Sequence, residues 1–461
     1  MSWKGKSVLV LGLGESGLAM AQWLHRQGAR VRVADSRSEP PFAAELQRSA
    51  PGAALLAGPF NEALIDGVDL VGLSPGLSRS EPVVAEAARR GLPVVGEIAL
   101  FAGALRELGA RGQCKVIAIT GTNGKTTTTA LAGALCRAAG KVTAVAGNIS
   151  PAALSALMTC LDAGKLPEVW VLELSSFQLE TAASLAADAA AVLNLSDDHL
   201  DRYAGLDDYA AAKARIFEGA GAQVLNRQDA RVLAMANAVS RRLTFGLDAP
   251  VGPDDFGLEY GWLMQGSERL LRADELAIAG LHNVANGLAA LALCRAAGLP
   301  LAPLLPALRA FKGLPHRVER IAEIDGVSWF DDSKGTNVGA TVAALEGLGR
   351  RVVLIAGGEG KGQDFSPLAP SLAAHGRALV LIGRDAMKIE TAVGDCGIPV
   401  IHAQDLGQAV RQAALAARAG DAVLLSPACA SFDMFRNYAH RAEVFVQAVR
   451  ALAAARQREA S

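Results

Sequence analysis

Closely spaced cysteines are missing. Cys114, Cys136, Cys160, Cys294, Cys396 and Cys429 are scattered without a CxxC pair, which argues against a zinc site or a disulfide framework and for reduced thiols. Aromatic residues make up only 5% of the 461 positions. No uninterrupted apolar stretch approaches the roughly 20 residues of a membrane helix. Neither charge sign is in excess, with 45 Lys and Arg against 46 Asp and Glu. Nucleic acids and anionic membrane surfaces call for a basic surplus, so neither is an expected partner and any phosphate recognition must be local. The opening Met1-Ser-Trp-Lys-Gly-Lys-Ser7 enters a strand without an apolar signal core, and with reduced thiols it predicts a cytoplasmic protein, neither exported nor embedded. A monomer is expected.

The composition that remains, 51% hydrophobic and 20% charged, is that of a globular chain, and the length suggests roughly three domains. Val116 to Thr120 is an apolar strand running into Gly121-Thr122-Asn123-Gly124-Lys125-Thr126-Thr127 and then a helix. Glycines let backbone N–H groups turn inward around phosphate oxygens, a lysine adds a point charge, and a threonine hydroxyl suits Mg²⁺. The strict phosphate-loop pattern wants a glycine where Ile119 stands. Near the start, Gly12-x-Gly14-x-x-Gly17 follows a buried strand, and Asp35 ends the next strand about 20 residues on, where a ribose-binding acid belongs, with Arg37 beyond it. This marks a nucleotide diphosphate pocket without saying which nucleotide fills it. Ser74 and Gly76 lie in a further loop at a strand's carboxyl end.

Glu173 ends an apolar run and is placed to hold Mg²⁺ on the phosphates. Asp197, Asp198, His199, Asp201 and Arg202 form the densest polar cluster and suggest a metal or substrate site. Composition alone makes Lys213 a solvated helix lysine. Asp248 to Leu270 reads as a short hairpin or excursion. Asn283 and Asn286 precede a helix expected over Leu288 to Ala297, where Asn283 could equally be a cap. From Leu314-Pro-His-Arg317 onward a further α/β domain is expected, with polar residues crowding strand ends at Asp331 to Asn337, Gly358 to Gly362 and Ser426 to Ser431.

Taken in order, Gly121 to Thr126, Leu172-Glu173-Leu-Ser-Ser-Phe-Gln178, Asp198-His199-Leu-Asp201-Arg202, Leu314 to Arg317, Asp332-Ser-Lys334 and Ser426-Pro-Ala-Cys-Ala-Ser431 resemble the Mur ligase family over nearly the whole chain. The resemblance implies three α/β domains: a Rossmann-like domain over 1–97 for a UDP substrate, a P-loop ATPase-like domain over 98–313 for ATP, and a Rossmann-like domain over 314–461 for an amino acid. The glycine fingerprint and the stretch from Ser426 to Tyr438 resemble the member that joins D-glutamate to UDP-N-acetylmuramoyl-L-alanine in peptidoglycan precursor synthesis. Another member adding a different amino acid, or a folylpolyglutamate-synthase-like ligase, is the alternative.

Under this resemblance Ser16, Asp35, Arg37, Ser74, Gly76, Asn148, Ser175 and Gln178 serve the UDP substrate. Gly121 to Thr127 with Asn286, Arg317 and Asp332 serve ATP. Lys334, Thr336, Lys361, Ser431 and Tyr438 serve D-glutamate. Two Mg²⁺ ions are held around Thr126, Glu173, His199 and Lys213, with Lys213 carbamylated, and Lys125, Glu173, His199 and Lys213 form the catalytic set. The sequence departs from the family's habit at Glu15, often apolar, and at Gly335, Tyr438 and Ala442.

Overall fold

The computed structural model describes residues 3–182, 185–199, 202–238 and 241–460. Three separate sheets follow one another along the chain. In the first, Ser7–Leu11 lies at the centre, with Arg30–Asp35 and Ala54–Ala57 on one side and Leu70–Leu73 and Val94–Val95 on the other, all parallel. Ser7-Val-Leu-Val-Leu11 is apolar at nearly every position because helices cover both faces of a parallel sheet, so alternation is absent.

The second sheet has nine strands. Lys115–Thr120 runs between Val169–Glu173 and Ala189–Val192, and Thr143–Gly147 lies beyond Val169–Glu173. The register sets Glu173 opposite both Ile119 and Gly147, so the carboxylate ends level with the glycine loop. Ala222–Asn226 and Arg241–Phe245 extend the parallel run. Asp248 to Leu270 is more than an excursion: Phe256–Glu259, Trp262–Gln265 and Glu268–Arg272 form an antiparallel meander that finishes the sheet edge.

The third sheet places Val327–Asp331, Ala422–Leu425, Val352–Gly357, Gly376–Ile382 and Val400–His402 in parallel, with Glu319–Ile324 antiparallel at one edge. In all three sheets the polar residues singled out in the sequence gather at the carboxyl ends of parallel strands, where open α/β sheets leave their crevice.

One helix joins the first two domains. Glu97–Glu107 follows the last strand of the first sheet and packs between Glu15–Arg26 and Ala153–Asp162, with Phe101 meeting Trp170 edge-on at 5.0 Å between ring centroids. Each fully buried Leu, Ile or Phe in such a seam stabilises the chain by about 1.5–3 kcal/mol. The helix expected from Leu288 begins earlier, at Leu281, after Gly280 turns the chain at φ 98°. Asn283 donates to the Ala279 carbonyl at 2.6 Å and leaves the N-cap position to Gly280.

Candidate active site

The loop between Thr120 and Lys125 is built from both sides. Gly124 adopts φ 81°, and a Cβ there would lie 2.4 Å from Asn286 Oδ1, so only glycine fits. The Thr122 N–H donates to the Asn194 carbonyl at 2.9 Å and the Asn123 N–H to Asn194 Oδ1 at 2.8 Å, which fixes the loop against the end of the next strand. Ile119, where a glycine is missing, is fully buried inside the strand, and the turn starts two residues later.

Lys125 folds back, its ammonium donating to the carbonyls of Gly121 at 2.9 Å and Thr122 at 2.7 Å. Burial lowers its pKa, against the pull of Glu173 and Asp198. Asn286 touches this loop as a support, accepting from the Thr128 hydroxyl at 3.2 Å and donating to Asn283 Oδ1. Thr127 is buried beneath the loop.

Glu173 is 1% exposed. Its Oε1 accepts from Asn148 Nδ2 at 2.6 Å, while Oε2 is buried with no hydrogen-bond partner among the described residues. A buried carboxylate oxygen left unmatched is costly, and a divalent cation is the group that would satisfy it. Lys213 is as deeply buried, contrary to the solvated lysine that composition suggests. Its Nζ donates to Gly121 O at 2.8 Å and sits 4.5 Å above the Tyr209 ring. Burial, reinforced by the nearby Lys125 charge, holds its pKa well below the usual value.

His199 takes a left-handed backbone at φ 55° and lays its ring against Phe177, 4.7 Å between centroids. Burial lowers its pKa, with Asp198 opposing. Asp201 lies outside the described residues. Arg202 leaves the polar cluster for an interdomain role: it pairs with Glu180 at 2.8 Å and donates to the carbonyls of Pro75 and Leu77 in the first domain.

The third domain closes the other wall of a cleft of about 980 Å³. Arg317 crosses to donate to Thr126 Oγ1 at 2.6 Å, so the hydroxyl expected at a metal is engaged by a cation of another domain. Asp332 is buried against Ser426 Oγ at 2.7 Å, and burial pushes its carboxyl up to about 7. Lys334 lies 3.9 Å above the Tyr438 ring, and burial brings its pKa down to about 8, helped by the Arg317 charge. Thr336 lines the same wall. Lys361 is exposed on a loop tied to the Ser431 loop by paired backbone hydrogen bonds between Glu359 and Ala430. Its charge lowers the pKa of both Lys334 and His199. Ser431 is buried, its carbonyl accepting from the Phe435 N–H at 2.8 Å.

Two residues without an expected role stand out. His316 Nδ1 lies 2.7 Å from Asp331 Oδ2, a fully buried carboxylate, on the wall beside Tyr438. Arg441, fully buried, bonds Ser333 Oγ and O and the Cys429 carbonyl, gripping the loops that carry Lys334 and Ser431. Sequence spacing could not reveal either contact, since the partners of Arg441 come from two different loops.

In the first domain a Cβ on Gly17 would fall 1.8 Å from the Gly12 carbonyl, and Ser74 fills the space beside these glycines. Gly76 follows in the loop that Arg202 holds, and Ser16 sits in the first turn of Glu15–Arg26. Asp35 differs from the ligand-facing acid expected. Its oxygens accept from the Leu13 N–H at 2.6 Å and from the Arg37 backbone and side chain, and the Arg37 guanidinium holds its carboxyl down to about 2. Ser175 and Gln178 likewise spend polar groups on each other as a capping box for Ser176–Glu180.

Three family profiles match consecutive stretches: the Mur ligase MurD-like N-terminal domain over residues 6–96, the Mur ligase middle domain over 119–294, and the Mur ligase glutamate ligase domain over 316–429. The chain belongs to the Mur ligase family. Family relatives from Nitrosospira multiformis and Aromatoleum aromaticum, both named UDP-N-acetylmuramoylalanine–D-glutamate ligase, are 59% and 60% identical over 99% and 97% of this chain and 98% of each relative. The Mur ligase fold also appears in the crystal structure of UDP-N-acetylmuramate-alanine ligase from Thermotoga maritima, with TM-score 0.60, 19% identity and coverage of 96% of this chain and 99% of that one. A pseudomurein peptide ligase from Methanothermus fervidus matches with TM-score 0.57 and 19% identity over 91% of this chain and 96% of its own. Mur ligases are ATP-dependent, which agrees with the loop at Gly121 to Thr127. Among the described residues no helix is long and apolar enough to cross a membrane.

Proposed function

We propose that this chain is a cytoplasmic ATP-dependent ligase that forms the amide between D-glutamate and UDP-N-acetylmuramoyl-L-alanine in peptidoglycan precursor synthesis. The observation that carries this reading is one cleft where a phosphate loop, an unmatched buried carboxylate oxygen on Glu173 and the cations Arg317 and Lys334 face one another. The names of relatives near 60% identity support the choice of substrates. Residues 1–97 hold the UDP substrate, 98–313 the nucleotide and 314–461 the amino acid.

The substrate carboxylate attacks the γ-phosphorus of ATP, the bond to the bridging oxygen breaks, and ADP leaves. The D-glutamate amine then adds to the acyl phosphate carbon, and inorganic phosphate departs as the amide forms. Two Mg²⁺ ions supply the charge neutralisation that lets a carboxylate approach a triphosphate. Glu173 and Thr126, with His199 and Lys213, are the residues that would hold them. Lys125 releases its carbonyls to meet phosphate oxygens, and Arg317 adds a second cation at the transferring group.

Lys213 belongs to this set as a carbamate. Burial and the Lys125 charge lower its pKa and so favour the neutral amine, the form that adds to CO₂, and the carbamate anion formed would be matched by Mg²⁺. The incoming ammonium must shed a proton before attack. His316, oriented by Asp331 beside Tyr438 and Lys334, is better placed to accept it than His199. Lys334, Thr336, Lys361, Ser431 and Tyr438 frame the two carboxylates of D-glutamate, with Arg441 bracing their loops.

Phosphate release with ATP, Mg²⁺ and UDP-N-acetylmuramoyl-L-alanine tests the reading. D-glutamate is expected to stimulate it, and L-glutamate, D-alanine and L-lysine are not. Stimulation by one of the latter in place of D-glutamate would refute the amino-acid assignment.

A further inference from the structure

The first domain meets one short segment of the central domain with two carboxylates. Glu15 stands directly after Gly14 in the glycine loop and opens the helix Glu15–Arg26. Its Oε2 accepts from the Ser150 hydroxyl at 2.6 Å and its Oε1 from the Ala152 N–H at 3.0 Å. Glu97, at the end of the first domain, accepts from the Leu154 N–H at 2.6 Å. Both acidic side chains therefore accept from backbone N–H groups at the start of Ala153–Asp162.

The gripped segment leads back to the reaction centre. The Gly147 N–H donates to the Pro151 carbonyl, the Asn148 N–H donates to the Glu173 carbonyl at 2.8 Å, and the Asn148 amide holds Glu173 Oε1. Ser150 itself lines the cleft. A carboxylate beside a loop that binds a diphosphate repels its own ligand, so Glu15 is poorly suited to a binding role. Its hydrogen bonds instead fix how far the diphosphate loop stands from Glu173.

We propose that Glu15 is a positioning residue: through Ser150 and Ala152 it sets the uridine-substrate loop relative to Glu173, so that the substrate carboxylate arrives in line with the phosphoryl group. This rests on the function proposed above. Small misplacements of reacting groups are enough to cost one to two orders of magnitude in rate.

The test compares Glu15→Leu, Glu15→Gln and Ser150→Ala with the wild type. Dissociation constants for UDP-N-acetylmuramoyl-L-alanine are measured by calorimetry without nucleotide or metal, kcat by phosphate release, and the spacing of the first two domains by a pair of spin labels. Glu15→Leu is expected to bind the substrate as well as the wild type or better, to lose about tenfold in kcat and to broaden the label distance. Glu15→Gln, which keeps acceptor oxygen for Ser150 or Ala152, should retain kcat within about twofold. Ser150→Ala should lower kcat in the wild type and add little in the Glu15→Leu background.

Weaker binding of Glu15→Leu at unchanged kcat would overturn the proposal in favour of a direct substrate contact, and unchanged kcat and label distance would overturn it outright. If Glu15→Leu fails to fold, Glu15→Gln and Ser150→Ala decide by the same three measurements: a kcat unchanged in Ser150→Ala, with an unchanged label distance, overturns the proposal. Wild-type protein that ignores D-glutamate would overturn the function reading instead, leaving the label distances and the calorimetry to judge Glu15.

Discussion

Lys213 is surrounded by groups that leave an ammonium little support, a ring face, one carbonyl and the Lys125 charge among them. Lys213→Ala is expected to lose most activity and to regain part of it when short carboxylic acids such as formate or acetate are supplied, because the missing element is an anion. Near-normal rates in Lys213→Ala would refute the metal-supporting role, and phosphate release decides. Lys334 sits at the opposite wall with a pKa of about 8. As pH rises through that value it sheds the charge that would meet a D-glutamate carboxylate. KM for D-glutamate should then climb, approaching about tenfold per pH unit, while KM for the UDP substrate stays level over the same range. Neither residue type announced its environment. Lys213 lies on a helix of ordinary composition, and only the fold brings Tyr209, Gly121 and Lys125 around it.

Strand ends were the most legible elements. Glu173, Asp332 and the glycine loop each terminate an apolar run, and that pattern alone placed them at the crevice side of a sheet. Helix starts were less legible: the helix after Gly280 begins at Leu281, seven residues before the apolar run suggested, since Asn283 and Asn286 are buried polar residues that periodicity counts as exposed. Ser175 and Gln178, expected from the resemblance to serve the UDP substrate, turn their polar groups to the start of Ser176–Glu180 in the folded chain.

Contacts between elements were not legible at all, because Arg202 and Glu15 find partners more than a hundred positions away. The seam at Glu97 yields a stability test. Burial pushes its carboxyl up to about 7, with Glu15 adding to the shift. A folded-state pKa above the unfolded value means that its contribution is fully present below about pH 4.5 and is lost as pH rises through about 7, a linkage on the order of 3 kcal/mol. Glu97→Gln should therefore flatten the fall in Tm between pH 5 and 8 and raise Tm at pH 8, as read by calorimetry.

At the scale of the whole molecule, the groups proposed to react are divided among rigid bodies. The first two share a core through Glu97–Glu107, while the third meets the central domain across an open cleft. Closure is expected when a non-hydrolysable ATP analogue and UDP-N-acetylmuramoyl-L-alanine are both present, seen as a smaller radius of gyration in solution scattering. Identical profiles with and without ligands would count against it.

The hydrogen bond from Arg317 to Thr126 gives this movement a starting condition. The third domain rests a cation on the hydroxyl that, under the function proposed above, nucleotide and metal would claim, so this contact would have to open before they bind. Nucleotide would then compete with an internal ligand at fixed effective concentration, and its apparent affinity would report that contest. Under the same proposal the arginine, displaced onto phosphate, would accompany the transferring group and return to the threonine when product leaves.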